Sequence, residues 1–279
     1  MSTLRRPSKV MRLWDWSVPP TSAHREVLSI VPEGWADQPR ATRKPPILFI
    51  HGLAHGAWCW REHWMSAAAE LGFPVYAVSL RGHGDSGGRK RLGRTLLRHY
   101  VHDVMQTITE LPQQPVLVGH SMGALIAQLV ADRYQPRGLA LLTPAPIQGA
   151  AYTLPKMIRK RPSAAAKVLA GGTLPLGPEQ LFTGLDDATA ARYVDRLGRE
   201  SPWAQYELLL PHRIGPVRCP VLVVGTPDDR VVDERAVEVT AATYGVDPVW
   251  LPGIGHDLML DGGWEKALSV VLDWIDERC

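Results

Sequence analysis

Residues 115–136 read PVLVGHSMGALIAQLVADRYQP, and this stretch decides the fold. The apolar run 115–118 predicts a strand buried in a sheet, and the apolar periodicity of residues 122–134 predicts a helix that ends before Pro136. Between them stands Gly-His-Ser-Met-Gly. A Gly-X-Ser-X-Gly motif at a junction from strand to helix is typical of a nucleophile elbow, a sharp turn that lifts a serine hydroxyl above the edge of the sheet. Ser121 is therefore predicted as a catalytic nucleophile.

Two glycines, Gly119 and Gly123, fit this turn because a side chain at either position would collide with the neighbouring backbone. The helix that follows directs its N-terminus, with free N–H groups and a partial positive charge, at the reaction site. The pentapeptide by itself also occurs by chance in unrelated chains. Its place between a strand and a helix therefore carries the prediction.

Strand and helix patterns alternate along most of the chain. Six short apolar runs without polar alternation predict strands that are buried on both faces of a parallel sheet. Helix-like stretches lie between them, which indicates a doubly wound α/β sheet of about eight strands. Residues 10–16 and 24–31 are predicted to add an antiparallel hairpin before it. The six runs are residues 46–50, 75–80, 115–118, 138–142, 221–224 and 248–251.

One stretch interrupts this alternation. Residues 146–216 contain no strand candidate, but they hold many apolar residues and helix-like pieces broken by Pro and Gly. A structureless loop of this length is uncommon in a compact domain, so we predict a helical lid. Because ligands of open α/β sheets bind at the carboxyl edge of the strands, we expect the lid to cover that edge. The predicted domains are a core, residues 1–145 and 217–279, and a lid, residues 146–216.

A serine hydroxyl needs a base within hydrogen-bond reach, and the base needs an acid that orients it. Of the ten histidines, His256 is the predicted base, because it follows the last strand candidate on a glycine-rich turn at the same sheet edge as Ser121. The acid should follow the strand at 221–224, where Asp228 and Asp229 are adjacent. Asp229 is preferred because Arg-Val-Val follows it, and Asp228 remains the alternative.

The order Ser121, Asp229, His256 is the order of the α/β-hydrolase superfamily. The chain resembles this superfamily from about residue 46 to residue 274. Besides the elbow, four motifs carry the resemblance: a His-Gly turn, an Arg-Gly-His-Gly-X-Ser turn, an Asp-Arg-Val-Val acid motif and a Gly-His motif. They stand at residues 51–52, 81–86, 229–232 and 255–256.

The resemblance implies that two backbone N–H groups bind the oxyanion of a tetrahedral intermediate. One belongs to Met122, directly after the nucleophile, and the other to Leu53 in the His-Gly loop. No cofactor and no metal is predicted. A serine at the elbow disfavours haloalkane dehalogenase and epoxide hydrolase chemistry, which needs a carboxylate there. It equally disfavours the chemistry of dienelactone hydrolase-like enzymes, which use a cysteine.

Two sets of motifs favour different branches of the superfamily. The loop at residues 51–60 is similar to that of plant methylesterases and hydroxynitrile lyases. Residues 81–91, taken with the elbow, are more similar to monoacylglycerol lipases and lysophospholipases. Gly52 stands where the lyases carry a hydroxyl-bearing residue, which argues against lyase activity.

The leading hypothesis is a cofactor-free serine hydrolase that cleaves a carboxylic ester of a small, largely apolar substrate through an acyl-enzyme. The alternative is that the same triad performs lactone or carbon–carbon bond hydrolysis, acyl transfer or another cofactor-independent reaction, because fold and triad are shared while the pocket decides. A third hypothesis is a non-catalytic ligand receptor on the same scaffold. Pseudo-enzymes commonly lose a triad member, and all three are present here.

Composition and charge limit the classes of binding partner that the sequence predicts. The chain has 279 residues and a net charge of +3, which does not indicate nucleic-acid binding. Basic residues cluster at 5–12, 89–98 and 156–161, either as solvated faces or as surfaces that attract an anionic substrate or membrane. Three cysteines lack metal-ligand spacing, and no long apolar run occurs, so we predict a cytoplasmic protein without stable membrane insertion. The oligomeric state stays open.

Overall fold

The computed structural model of the protein describes residues 24–279. The strands of its sheet are β1 (Val27–Ile30), β2 (Ile47–Ile50), β3 (Val75–Val78), β4 (Val116–His120), β5 (Gly138–Leu142), β6 (Val221–Gly225) and β7 (Val249–Trp250). They are ordered β1-β3-β2-β4-β5-β6-β7. β1 is antiparallel to β3, and every other pairing is parallel. The predicted doubly wound α/β fold is confirmed.

Each of the six predicted apolar runs contains a strand, with ends that differ by at most two residues. Residues 24–31, the second half of the predicted hairpin, contain β1, which pairs with β3. Residues 10–16, the first half, lie outside the described residues. The described chain therefore has a sheet of seven strands.

Helices flank the sheet on both faces. The α-helices are α1 (Trp58–Arg61), α2 (Trp64–Glu70), α3 (Leu97–Glu110), α4 (Met122–Arg133), α5 (Leu154–Lys160), α6 (Pro162–Leu169), α7 (Pro178–Leu181), α8 (Asp187–Val194), α9 (Pro202–Glu207), α10 (Glu234–Tyr244) and α11 (Trp264–Arg278). A short 3₁₀ helix covers Arg89–Arg94. None of the described helices combines the length and the apolar character that crossing a membrane requires.

Strand β2 shows why helices cover both faces of the sheet. Leu48 and Ile50 point into a core that α3, α4 and α10 complete. Ile47 and Phe49 point into the opposite core, which contains residues of α1, α2 and α11. All four side chains are fully buried, so successive residues of one strand must be apolar. This is why the strand lacks polar alternation.

Residues 146–216, between β5 and β6, contain helices α5 to α9 and no strand. We call them the helical segment. Leu181 and Phe182 of this segment join the core beside α11, and the Leu181 carbonyl accepts a hydrogen bond from the Asp257 N–H (3.1 Å). The segment therefore packs against the loop that follows β7. Its action as a lid and its definition as a separate domain stay predictions.

Candidate active site

Ser121 lies at the turn between β4 and α4, at the carboxyl end of a central strand. Its backbone angles are φ 52° and ψ −117°, a combination that glycine adopts easily and other residues rarely do. Hydrogen bonds hold this conformation: Ser121 N–H donates to Leu142 O on β5 (2.9 Å), and Ser121 O accepts from Ala145 N–H (3.2 Å). The predicted sharp, strained turn is therefore present, and these hydrogen bonds hold its backbone in the strained conformation.

Close backbone contacts at the elbow explain its glycines. A Cβ atom at Gly119 would lie 2.5 Å from the Gly123 carbonyl oxygen. A Cβ atom at Gly123 would lie 2.5 Å from the His51 carbonyl oxygen, just after β2. A Cβ atom at Gly52 would lie 3.1 Å from the Cβ of Ser121. The small residues therefore bring the loop after β2 directly beside the serine.

His256 lies in the loop after β7 and is 2% exposed. Its Nδ1 atom is 2.7 Å from Oδ2 of Asp229. The other oxygen of Asp229 accepts two backbone N–H groups of the following turn, at 2.7 and 2.8 Å. Asp228 instead accepts a hydrogen bond from Gly253 N–H (2.6 Å). Of the two candidate acids, the structure thus brings Asp229, and not Asp228, to the imidazole.

The neighbouring carboxylates change the proton affinity of His256. Burial by itself lowers the pKa of His256. The charge of Asp229, its hydrogen bond and the charge of Asp257 outweigh that effect, and the pKa rises above its usual value of 6.5. Nε2, the other ring nitrogen, makes no hydrogen bond within residues 24–279. A ring with this arrangement can take up a proton at Nε2 and return it.

Ser121 and His256 line one cavity, which has a volume of about 180 Å³. Its walls are mainly apolar, and the helical segment supplies most of them. The apolar residues from that segment include Leu154, Met157, Val168, Leu174, Leu176 and Leu208. Leu53 and Ala145 contribute from the core. An apolar cleft beside a serine and a histidine is suited to a small ligand with an apolar group.

The backbone N–H groups of Leu53 and Met122, the two predicted oxyanion donors, belong to buried residues and lack a hydrogen-bond acceptor within the described chain. Leu53 is 8% exposed and Met122 is fully buried. Neither N–H donates a hydrogen bond to an acceptor of the described chain. Buried N–H groups are nearly always paired, so two unpaired donors beside Ser121 point to a ligand that would accept them.

A buried His55–Asp257 pair ties the Leu53 loop to the His256 turn. His55 Nδ1 is 2.9 Å from the Leu53 carbonyl oxygen, and its Nε2 is 3.0 Å from Oδ2 of Asp257. Asp257 is fully buried and follows His256 directly. Burial by itself raises the pKa of Asp257, but the facing histidines outweigh it and lower the pKa. The pair therefore sets the position of the Leu53 loop, which carries one candidate oxyanion-binding N–H group, relative to His256.

A second buried carboxylate, Glu200 of the helical segment, holds the same loop. One of its oxygens accepts from Ala54 N–H (3.3 Å) and from His83 Nε2 (3.1 Å). The other accepts from the Tyr100 hydroxyl (2.5 Å) and from Ser201 N–H (2.7 Å). Burial acts against both charges, but mutual attraction outweighs it: the pKa of His83 is raised and that of Glu200 is lowered. The two therefore form a buried ion pair.

His120, inside the elbow, contacts the backbone of the histidine turn. Its Nε2 is 3.0 Å from the His256 carbonyl oxygen. Burial and the nearby His256 lower the pKa of His120 to about 3, so the ring is neutral. Ligand atoms of His120, His256 and Asp257 lie within 4.8 Å of one another, close enough to hold a metal ion. Hydrogen bonds and the Asp229 contact already account for the placement of both histidines.

Sequence reasoning misses three of these residues. His55 lies two residues after Leu53, and Asp257 directly follows His256, so their positions in the two motif loops were a signal. Glu200 lies in a stretch without any motif, and only the packing of the helical segment shows its role.

Comparison with known proteins identifies the family of the chain. The model of the alpha/beta hydrolase family matches residues 47–265. Because the match covers most of the chain, the protein belongs to the α/β-hydrolase family.

Similar proteins include esterases and lipases. Methylesterase 2 of Arabidopsis thaliana is 36% identical over 94 residues, which cover 33% of this chain and 35% of the relative. The chain thus matches only about a third of that relative's length. A monoacylglycerol lipase of Mycolicibacterium smegmatis is 25% identical over 254 residues, or 82% of this chain and 87% of the relative. The monoacylglycerol lipase structure of Paleococcus ferrophilus superposes with a TM-score of 0.66 at 20% identity, covering 91% of this chain and 98% of that one.

Proposed function

We propose that the protein is a cofactor-free serine hydrolase that cleaves carboxylic esters of small, largely apolar substrates through an acyl-enzyme. One observation carries the proposal: the strained Ser121 and the His256 ring bound to Asp229 line one apolar cavity. A serine, a histidine oriented by a carboxylate and a nearby pair of unpaired N–H groups are the parts that acyl transfer needs.

Each residue has a defined part in the reaction. Ser121 Oγ attacks the ester carbonyl carbon while His256 Nε2 takes the serine proton. Asp229 accepts the Nδ1–H of the ring, keeps Nε2 free for the proton and stabilises the imidazolium. The imidazolium then gives its proton to the leaving alcohol. Water, deprotonated by the same ring, hydrolyses the acyl-enzyme.

The N–H groups of Leu53 and Met122 bind the oxyanion. Charge develops on the carbonyl oxygen in the transition state, and fixed donors in a site without water stabilise it. Losing one such donor typically costs about 3–4 kcal/mol of transition-state stabilisation. Because these are backbone groups, their position depends on the loop that His55 and Glu200 hold.

The helical segment is proposed as a lid, with residues 146–216 as a separate unit on the core. It supplies most of the apolar wall of the Ser121 cavity, so it would exclude water and select apolar acyl or alcohol groups. The names of the similar proteins, methylesterase and monoacylglycerol lipase, support ester hydrolysis. We place the protein in the cytoplasm, acting on a small-molecule ester.

The test is hydrolysis of p-nitrophenyl esters of increasing chain length, together with labelling by a fluorophosphonate. We expect Ser121→Ala to abolish both, and mass spectrometry to locate the label on Ser121. Asp229→Asn should lower kcat by roughly 10⁴, because it disturbs the imidazole tautomer. Asp228→Asn is the matched control and should cost far less, since the Asp228 carboxylate accepts a hydrogen bond from Gly253 N–H and not from the imidazole.

Three results would count against the proposal. Full ester hydrolysis by Ser121→Ala would show that Ser121 is not the nucleophile. A wild-type serine that resists the fluorophosphonate would favour the ligand receptor. Faster turnover of lactones or β-diketones than of esters would favour the alternative chemistry on the same triad.

A further inference from the structure

A cationic cavity lies beside the proposed active site. It has a volume of about 520 Å³, and His55 lines both cavities. Four cations line it: Arg89 and Lys90 from the 3₁₀ helix, and Arg196 and Arg199 from the helical segment. Two segments far apart in sequence therefore direct positive charge at one concave surface.

The positive charge continues into a neighbouring cavity of about 760 Å³. Arg89 and Lys90 line both cavities, and Arg91 and Arg94 line the second one. The only carboxylate that lines either cavity within the described chain is Glu200, which is buried and paired with His83. The net charge of the whole protein is only +3, so this concentration of charge is local.

The cations differ in whether the protein already neutralises them. Arg196 pairs with Glu62 and lies over the Trp58 ring at 4.1 Å. Arg89 donates to the Gly84 carbonyl oxygen. The side chains of four other cations make no hydrogen bond or ion pair within residues 24–279. These are Lys90, Arg91, Arg94 and Arg199. Like charges held close together repel one another. A bound anion would lower this repulsion and would therefore be attracted to the cations.

We propose that this cationic surface, formed by Arg89, Lys90, Arg91, Arg94 and Arg199, binds a soluble small molecule that carries phosphate groups. Arginine forks bind phosphate oxygens in pairs, and several cations match a group with two or more negative charges better than a single carboxylate. The proposal does not depend on ester hydrolysis, because the surface lies outside the Ser121 cavity.

The shape of the surface favours a soluble phosphate compound over a phospholipid headgroup. Proteins that dock on anionic membranes place apolar side chains next to their cations, so that these enter the acyl boundary. The large exposed hydrophobic residues of the described chain, such as Trp203 and Ile158, line neither cationic cavity. The cations instead line two concave spaces.

The ligand should also connect two parts of the protein. Lys90 belongs to the core and Arg199 to the helical segment, and both line the 520 Å³ cavity. A phosphate compound bound by both would stabilise the folded arrangement. Ligands that bind only the folded state raise its melting temperature as their concentration exceeds Kd.

The experiment measures binding of inorganic pyrophosphate to the full chain by calorimetry at low ionic strength, with the melting temperature as a second readout. We expect one saturable site, a higher Tm with pyrophosphate, and binding weakened about tenfold or more in Lys90→Gln/Arg199→Gln. The matched control, Lys266→Gln/Arg278→Gln, removes the same charge from exposed positions of α11 and should bind like the wild type.

Three outcomes would overturn the proposal. The first is no pyrophosphate binding by the wild-type protein. The second is equal weakening in the control, because net charge alone would then explain binding. The third is wild-type binding to vesicles of phosphatidylcholine and phosphatidylglycerol that pyrophosphate does not displace, because the surface would then serve a membrane. Fluorophosphonate labelling tests Ser121 separately, so failure here leaves the proposed hydrolase untouched.

Discussion

The variant Ser121→Gly should have a more stable fold than Ser121→Ala, although both variants lose the proposed nucleophile. Ser121 has φ 52° and ψ −117°, where a Cβ atom is strained and glycine is not. Its N–H bond to Leu142 and its carbonyl bond to Ala145 keep the backbone there in any variant. The comparison is with Ser121→Ala, which loses the same hydroxyl but keeps the Cβ atom and therefore the strain.

The magnitude follows from two opposed terms. Backbone strain at a sparsely populated φ/ψ costs about 1–3 kcal/mol, and glycine avoids it. Glycine loses more chain entropy on folding, which costs about 0.5–1 kcal/mol relative to alanine. The difference is about 1 kcal/mol in favour of Ser121→Gly. For a chain of this size it corresponds to a Tm higher by about 2–4 °C.

Thermal and urea denaturation of the two variants measure this difference. Ala127→Gly, in the middle of the buried helix α4, is the control with the opposite expected sign, because helical glycine is unfavourable and the site loses a buried methyl group. If Ser121→Gly were no more stable than Ser121→Ala, the elbow would not store strain, and the reasoning from its backbone angles would be wrong.

Three further predictions concern buried charge. Glu200→Gln should destabilise the protein by about 3 kcal/mol, because two donors face each carboxylate oxygen and one of these oxygens becomes an NH₂ group that cannot accept, while the His83 cation loses its buried counter-charge. The control, compared by denaturation, is Glu207→Gln, because within the described chain the Glu207 carboxylate accepts a hydrogen bond from Leu97 N–H alone. His120 stays neutral in the fold down to about pH 3, whereas the unfolded chain binds this proton below 6.5. Stability should therefore fall by about 2 kcal/mol from pH 7 to pH 5 because of this residue. His120→Gln should remove that part of the pH dependence, and an unchanged slope would contradict the assignment. Ester hydrolysis should lose half its kcat/KM at a pH above 6.5, because the pKa of His256 is raised, and Asp229→Asn should lower that midpoint. A wild-type midpoint below 6.5 would contradict the pairing.

The local parts of the fold could be predicted from the sequence because short-range rules govern them. Continuous apolar runs mark strands that are buried on both faces, as Ile47 to Ile50 show. The Gly-X-Ser-X-Gly pattern marks an elbow because only glycine fits the backbone contacts at 119 and 123. The His-Gly loop and the glycine-rich turn of His256 were recognised in the same way, from motifs of a few residues.

Motif spacing could not decide between Asp228 and Asp229. Adjacent residues in a loop point in different directions, and the direction depends on the turn that follows β6. In the structure, two backbone N–H groups orient Asp229 towards His256, while Gly253 engages Asp228. The preference for Asp229 came from resemblance to a motif, and the contact with His256 came only from the folded loop.

The sequence by itself determined the elbow, the strand and helix alternation and the order of the candidate triad, because each depends on neighbours within a few residues. Only the tertiary structure showed that His55 and Asp257 join the loops after β2 and β7, and that Glu200 holds the first of these loops from the helical segment. These pairs join residues more than a hundred positions apart. A buried charge gains its partner only when the chain has packed, so no local pattern records it.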